Sequence, residues 1–310
     1  MSRLGSRSQE EQHSIHPHSV KVAEQRNLAA AMALTSSIMA VEVVGGILSN
    51  SLALLSDAWH MFADLTALVL CYMAGRVSMR PATWDKTYGY YRVEVLAALL
   101  NGATLVAVAL FIFYEAVERL TSTPTVHGGH MLLVASIGLT ANLASMTIIS
   151  RRMLSLNVKA AFLHVLSDAL SSMGVIAAAI TIYLTGWSII DPIIGIVIGA
   201  VIIYGASRML GTVVNILLEG TPKHIDPKRL IERLRGIEGI LDVHDLHVWS
   251  ITSYVHVLSA HIVLSEKAMG NRDTLLNDIK RILKDEYGIS HSTLQMEGEG
   301  YREIGEICSI

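Results

Sequence analysis

The sequence predicts an α-helical membrane protein with six transmembrane helices, followed by a small cytoplasmic α+β domain. Of its 310 residues 52% are hydrophobic and 16% are charged, and the mean hydropathy is +0.46. A soluble domain has about 25% charged residues. The charged residues concentrate after Glu219, where amphipathic sequence replaces the long apolar runs. These observations together predict a membrane part followed by a soluble part.

Six segments reach the roughly 20 apolar residues that a helix needs to cross a bilayer. The predicted spans lie near residues 27–48, 52–75, 91–119, 130–150, 158–185 and 190–218. Lysine and arginine cluster in or beside the second and fourth loops, whereas the first and fifth loops have none. Because such residues favour the cytoplasmic side, the N-terminus, these two loops and the C-terminal domain are expected in the cytoplasm.

The chain is expected to divide into four parts. Residues 1–26 are polar and lack an apolar core of signal-peptide length, which predicts a cytoplasmic arm rather than a cleaved leader. The membrane domain then covers 27–220, the cytoplasmic domain 221–297 and a tail 298–310. No sorting segment is evident, which favours a bacterial inner membrane over a eukaryotic vesicle.

The cytoplasmic domain should contain helix, strand, strand, helix and strand in that order. Asp226 and Pro227 form a good N-cap and first-turn pair for a helix ending near 235. Strands are expected near 241–250 and 254–264, a helix near 272–286, and a last strand near 291–297. This pattern predicts helices on one face of a short open sheet.

Composition also excludes several partner classes. The net charge is -3 and no basic cluster is interleaved with aromatic residues, so no nucleic-acid partner is expected. Cys71 and Cys308 are the only cysteines, which gives neither a disulfide framework nor a cysteine-rich metal site. The expected partners are the lipid bilayer and small ions.

Two predicted spans each carry a histidine and an aspartate four residues apart, His60 with Asp64 and His164 with Asp168. Residues four apart share a helix face, so each pair projects from one side of its helix. Ionisable residues inside a span are costly and usually mark an ion or proton pathway. Two imidazoles and two carboxylates suit a divalent metal such as Zn²⁺ in tetrahedral geometry. The alternative is a structural polar contact between helices.

The charge of these groups predicts exchange of metal for protons. Two carboxylates balance one divalent cation, whereas an empty site would leave unpaired charge in a low-dielectric interior. Protons therefore compete with the metal for the same four groups. Asp57 lies on the same helix face as His60. It is either an acceptor that orients His60 or a capping residue near the start of its span.

The cytoplasmic domain has a second set of histidines. If the hairpin turns at residues 252–253, His244 lies directly opposite His261. Strand alternation would place His247 on the other face, together with Trp249 and His256. His244 and His261 could bind Zn²⁺ with further ligands, for which His291 and Glu297 on the last strand are candidates. The alternative is that these are exposed or core histidines without a metal.

Four segments of this sequence carry specific motifs, SLALLSDAWHMFAD (51–64), YGYYRVEVLAALLN (88–101), AFLHVLSD (161–168) and HDLHVW (244–249). They resemble the cation diffusion facilitators, a family of zinc transporters, and the likeness covers about residues 27–297. All four resemble the zinc-type branch.

The resemblance implies a homodimer in which each subunit exports Zn²⁺ from the cytoplasm in exchange for protons. His60, Asp64, His164 and Asp168 would form the transport site. It also implies a ferredoxin-like cytoplasmic domain that dimerises and binds metal through His244, His261, His291 and Glu297.

The sequence therefore predicts a divalent metal exporter, a zinc/proton antiporter that could also carry cadmium or cobalt and so provide metal tolerance. The alternative is a membrane metal sensor whose transmembrane site is structural. An enzyme is not expected, because the sequence has no HisGluXxxXxxHis motif and four protein ligands leave no position for a catalytic water.

Overall fold

The computed structural model describes residues 36–122, 124–150 and 156–300. Six apolar helices come first within these ranges: α1 Ser36–Ser49, α2 Leu52–Ser78, α3 Arg92–Ser122, α4 Gly128–Ser150, α5 Leu156–Thr185 and α6 Ile190–Leu217. The described parts of α2 to α6 are long and apolar enough to cross a membrane. These bounds match the predicted spans closely. The start of the first predicted span, the arm 1–26 and most of the tail 298–310 lie outside the described residues.

The chain divides into two compact units, residues 1–66 with 107–203 and residues 67–106 with 204–310. In the first unit α4 and α5 pack along each other. Glycines allow α1 and α4 to approach closely, since a Cβ atom on Gly45 would collide with the Val134 side chain and one on Gly138 with Glu42. These close approaches hold α1 against α4 around a buried polar residue.

A buried network in the first unit fixes the N-terminus of α2. The Asp191 carboxylate at the start of α6 is fully buried and accepts hydrogen bonds from Ser51 Oγ at 2.5 Å, Leu52 N at 2.6 Å and Ala53 N at 3.1 Å. The Arg119 guanidinium lies 3.9 Å from the same carboxylate and donates to the Asn50 carbonyl at 2.7 Å. Asp191 thus satisfies amide groups that a helix N-terminus leaves without partners.

The second unit contains the α+β elements predicted for the C-terminal domain. In chain order they are α7 Pro227–Arg235, β1 Ile240–Ser250, β2 His256–Leu264, α8 Glu266–Met269, α9 Arg272–Tyr287 and β3 Ile289–Gly298. The strand order is β1-β2-β3, with β1 antiparallel to β2 and β2 parallel to β3. The predicted order of helices and strands is confirmed, and the structure adds the short helix α8 before α9.

Local sequence explains the ends of these helices, and apolar packing explains their position. Asp226 accepts hydrogen bonds from the Lys228 and Arg229 amides, as its N-cap role predicts. Gly288 ends α9 in a left-handed conformation with φ of 67°, which a residue with a Cβ atom adopts only at a cost. Apolar residues of α7 and α9 share one buried core with one face of the sheet, among them Leu230, Leu234, Ile262, Ile279 and Leu283.

Candidate metal sites

The first candidate site joins α2 and α5 inside the first unit. His60 and Asp64 lie one turn apart on α2, and Asp168 lies on α5. The distance from His60 Nε2 is 3.6 Å to Asp64 Oδ2 and 3.9 Å to Asp168 Oδ1. Donor atoms about 2.1 Å from a tetrahedral metal are about 3.4 Å apart. The three side chains are therefore nearly in position to bind one ion.

These three side chains are not fully enclosed by the rest of the chain, with 25%, 25% and 17% of their surfaces exposed. His164 lies on α5 one turn before Asp168, but its side chain is outside the described part of the structure. Its contribution to the site remains a prediction.

Asp57 does not cap α2, because Ser51 and Asp191 occupy that position. Its buried carboxylate accepts hydrogen bonds from Ser171 Oγ at 2.7 Å and Ser172 Oγ at 3.5 Å. Asp57 lies three residues before His60 on α2, and its partner Ser171 lies three residues after Asp168 on α5. This opposite order is expected for two helices that run antiparallel. Asp57 therefore links α2 to α5 one turn away from the candidate ligands.

The second candidate site lies on the sheet of the second unit. His244 pairs directly with His261 across β1 and β2, as predicted, and Glu297 on β3 joins them. Glu297 Oε2 is 3.3 Å from His244 Nε2, and Glu297 Oε1 is 3.0 Å from His261 Nδ1. Glu297 Oε2 and His244 Nε2 are buried, and neither forms a hydrogen bond within the described residues. Buried donor atoms of this kind fit a bound metal ion.

The prediction for His247 was wrong, because β1 contains an irregularity at Asp245. The pairing shifts by one residue between His244 and His247, and Asp245 has φ of 50°. His247 consequently lies opposite Ser259, on the same face as His244 and His261, whereas His256 lies on the other face.

Sequence reasoning missed Asp245. Its carboxylate lies 3.0 Å from His247 Nε2 and 3.7 Å from His261 Nε2. An aspartate tolerates a left-handed backbone, so its place inside a strand was the available signal for a bulge.

His291 is not brought into this cluster. It pairs with Val257 at the start of β3, six residues before Glu297. Six strand residues span about 20 Å, so the two side chains cannot reach one metal from the same strand. The His291 ring instead lies edge-on to the Tyr88 ring, with centroids 5.8 Å apart.

Two family models match the chain. The cation efflux transmembrane domain matches residues 28–218, and the cytoplasmic domain of cation efflux proteins matches residues 222–299.

Several characterised proteins are similar over most of their length. The metal cation efflux system protein CzcD of Cupriavidus metallidurans is 41% identical over 283 residues, which cover 91% of this chain and 89% of that protein. The cadmium, cobalt and zinc/H(+)-K(+) antiporter of Bacillus subtilis is 39% identical over 293 residues, covering 92% and 93%. The zinc transporter ZitB of Escherichia coli is 41% identical over 281 residues, covering 88% and 87%.

Among solved structures, the metal-bound C-terminal domain of the CzcD transporter from Cupriavidus metallidurans is 30% identical. It covers 24% of this chain and 99% of its own, with a TM-score of 0.22.

Proposed function

The chain belongs to the cation efflux family, the cation diffusion facilitators, and from this premise we propose that it exports Zn²⁺ from the cytoplasm in exchange for protons. The observation that carries this proposal is the group of His60, Asp64 and Asp168, whose donor atoms all lie within 4.8 Å of one another across two membrane helices. Cadmium and cobalt are further candidate substrates, as the name of the Bacillus relative suggests.

The transport site consists of His60, Asp64, His164 and Asp168. Imidazole ligands favour zinc and similar metals over magnesium or manganese, which prefer oxygen ligands alone. The two carboxylates balance the charge of one divalent ion. Zn²⁺ displaces protons from these groups when the site is open to the cytoplasm, and protonation of the same groups releases Zn²⁺ on the other side.

The protein is an integral membrane protein. We place it in a bacterial inner membrane with both termini in the cytoplasm, which the lysine and arginine residues of the second and fourth loops support. Residues 27–220 form the membrane domain and 221–297 the cytoplasmic domain, a division that agrees with the two matched regions 28–218 and 222–299.

The cytoplasmic domain binds Zn²⁺ through His244, His261 and Glu297 and contributes to a homodimer. The buried donor atoms of His244 and Glu297, 3.3 Å apart without a hydrogen bond, support the metal site. Metal there would hold β3 against the β1–β2 hairpin, because its ligands come from all three strands.

The competing function is a membrane metal sensor in which the site between α2 and α5 is only structural. A metalloenzyme is disfavoured, because the four proposed ligands would leave no open coordination position for water. Transport and sensing differ in one measurable respect, since only a transporter moves the ion across the bilayer.

The test is Zn²⁺ flux in proteoliposomes with an imposed pH gradient. Asp168→Asn removes one ligand charge with little change in shape, and Glu118→Gln, an exposed acid on α3, is the matched control. We expect gradient-dependent flux in the unmodified protein and the control, and less than about a tenth of it in folded Asp168→Asn. Zn²⁺ binding without gradient-dependent flux would support the sensor instead.

A further inference from the structure

A buried carboxyl group outside the metal sites has no role in the mechanism described so far. Glu42 on α1 has 1% of its surface exposed, and its Oε2 atom has no hydrogen-bond partner among the described residues. Gly138 of α4 leaves the space for this side chain, since an added Cβ atom would lie 2.5 Å from Glu42 Oε1. The packing of α1 against α4 therefore accommodates a carboxyl group at this place.

Two acidic groups of neighbouring helices lie near Glu42. Asp57 on α2 and Asp168 on α5 are the acidic groups that interact with it electrostatically. From α4 it is faced by Gly138, which carries no charge. An ionised carboxylate in this place would be desolvated, would have no cation beside it among the described residues, and would be repelled by two aspartates.

Polar side chains connect the region of Glu42 to Asp57. Asn142 follows Gly138 by one turn on α4 and donates from Nδ2 to Ser172 Oγ at 3.4 Å. Ser172 is 3.5 Å from Asp57 Oδ2. Asn142, Ser172 and Asp57 have 7%, 1% and 4% of their surfaces exposed. We call Glu42, Asn142, Ser172 and Asp57 the buried polar strip.

The chemistry of this strip suits proton movement better than structural support. An unpartnered buried carboxyl oxygen is destabilising, and an apolar side chain would fill the same space without that cost. The strip has an acid at each end, and the serine hydroxyl between them can both donate and accept a proton. Asn142 donates a hydrogen bond to that hydroxyl.

We propose that Glu42 is a proton carrier of the transport cycle and delivers its proton to Asp57 along the buried polar strip. An O–H bond breaks on Glu42 and one forms on Asp57, so one proton moves and the pair keeps a total charge of minus one. Glu42 then takes a proton from water on the outer side. This inference rests on the proposed zinc/proton exchange.

The transfer weakens the hold on the metal. Asp57 lies one helical turn from His60, so its negative charge favours a cation at the transport site. Protonation removes that charge and promotes release. With both termini in the cytoplasm, the start of α2 faces outward, and the strip therefore lies on the side from which protons enter.

The test compares Glu42→Gln with the unmodified full-length protein in proteoliposomes. Glutamine keeps the shape but cannot carry an exchangeable acid proton. We expect Zn²⁺ binding within twofold of the unmodified protein, at least tenfold slower gradient-driven flux, and loss of the acceleration by outer acidification. Glu42→Asp should retain part of that acceleration, and Glu118→Gln should behave as the unmodified protein.

Two results would overturn the proposal. The first is that the Zn²⁺ flux of Glu42→Gln responds to outer pH as that of the unmodified protein does. The second is that folded Glu42→Gln no longer binds Zn²⁺, which would make Glu42 a structural residue or a ligand. If Glu42→Gln fails to fold, Ser172→Ala decides the question, because it interrupts the strip and leaves Glu42 intact. Unchanged flux and pH response in Ser172→Ala would also refute the relay. Absence of gradient-driven flux in the unmodified protein would instead refute the proposed function.

Discussion

Replacing Asp191 with alanine should destabilise the membrane part of this protein more than any change to an exposed acid. The substitution removes a buried carboxylate that accepts hydrogen bonds from Ser51, Leu52 and Ala53. It also removes the anion beside Arg119, whose side chain is 11% exposed. The first turn of α2 thus loses its cap, and a largely buried cation loses part of its neutralisation.

The size of the effect follows from these contacts. A hydrogen bond to a charged group contributes about 1.5–3 kcal/mol, and removing one partner of a buried ion pair costs about 3–5 kcal/mol. Because the contacts share one carboxylate they are not additive, and we expect a loss of about 4 kcal/mol. At about 2 °C per kcal/mol for a large domain, the midpoint of thermal unfolding should fall by about 8 °C.

The assay is thermal unfolding of the purified protein in detergent, followed by tryptophan fluorescence. Asp191→Asn keeps one oxygen acceptor and should fall between the unmodified protein and Asp191→Ala. Glu118→Gln serves as the exposed control. A midpoint for Asp191→Ala within 2 °C of the control would refute the capping role, since the network would then contribute almost nothing.

Two further predictions concern the C-terminal α+β domain. Gly288→Ala introduces a Cβ atom at a left-handed position and should cost about 1 kcal/mol in thermal unfolding. Gly298→Ala has open space around it and should have little effect; an equal loss in both variants would contradict the conformational argument. Burial, and then the neighbouring His224, lower the pKa of His256, so the unfolded chain protonates first as the pH falls. The free energy of unfolding should therefore be highest above the unfolded pKa of about 6.5, and it should decrease as the pH falls from there to the lower folded pKa. Unfolding curves measured between pH 7 and 5 should show a smaller decrease for His256→Gln than for the unmodified protein. Equal pH dependence in both proteins would argue against this role.

Helical periodicity was enough to predict most of the membrane part. The pair His60 and Asp64 follows from their spacing alone, because residues four apart must share a helix face. That Asp168 meets them depends on the pairing of α2 with α5, which no local pattern specifies. Nothing in the spacing of Glu42 indicates that its Oε2 atom is buried without a hydrogen-bond partner among the described residues, because that is a property of packing.

On the sheet, too, some histidine positions follow from local sequence and others depend on the folded structure. Strand alternation and one turn position correctly paired His244 with His261. The bulge at Asp245 then reversed the faces of all later residues in β1, so the expectation for His247 failed while that for His244 held. For His291 and Glu297, the length of an extended strand was already sufficient to separate them, although a shared strand made them look like partners.

The fixed N-terminus of α2 has a mechanical consequence for the proposed metal site further along that helix. A helix that is fixed at one end can tilt about that end. At a rise of 1.5 Å per residue, Asp64 lies about 18 Å and Ser78 about 39 Å from the fixed end at Leu52. A tilt of about 5° shifts Ser78 by about 3.4 Å and Asp64 by about 1.6 Å. The shift at Asp64 approaches the length of a zinc–ligand bond, about 2.1 Å. A small tilt about Leu52 would therefore be enough to break the coordination of an ion at the proposed site between α2 and α5.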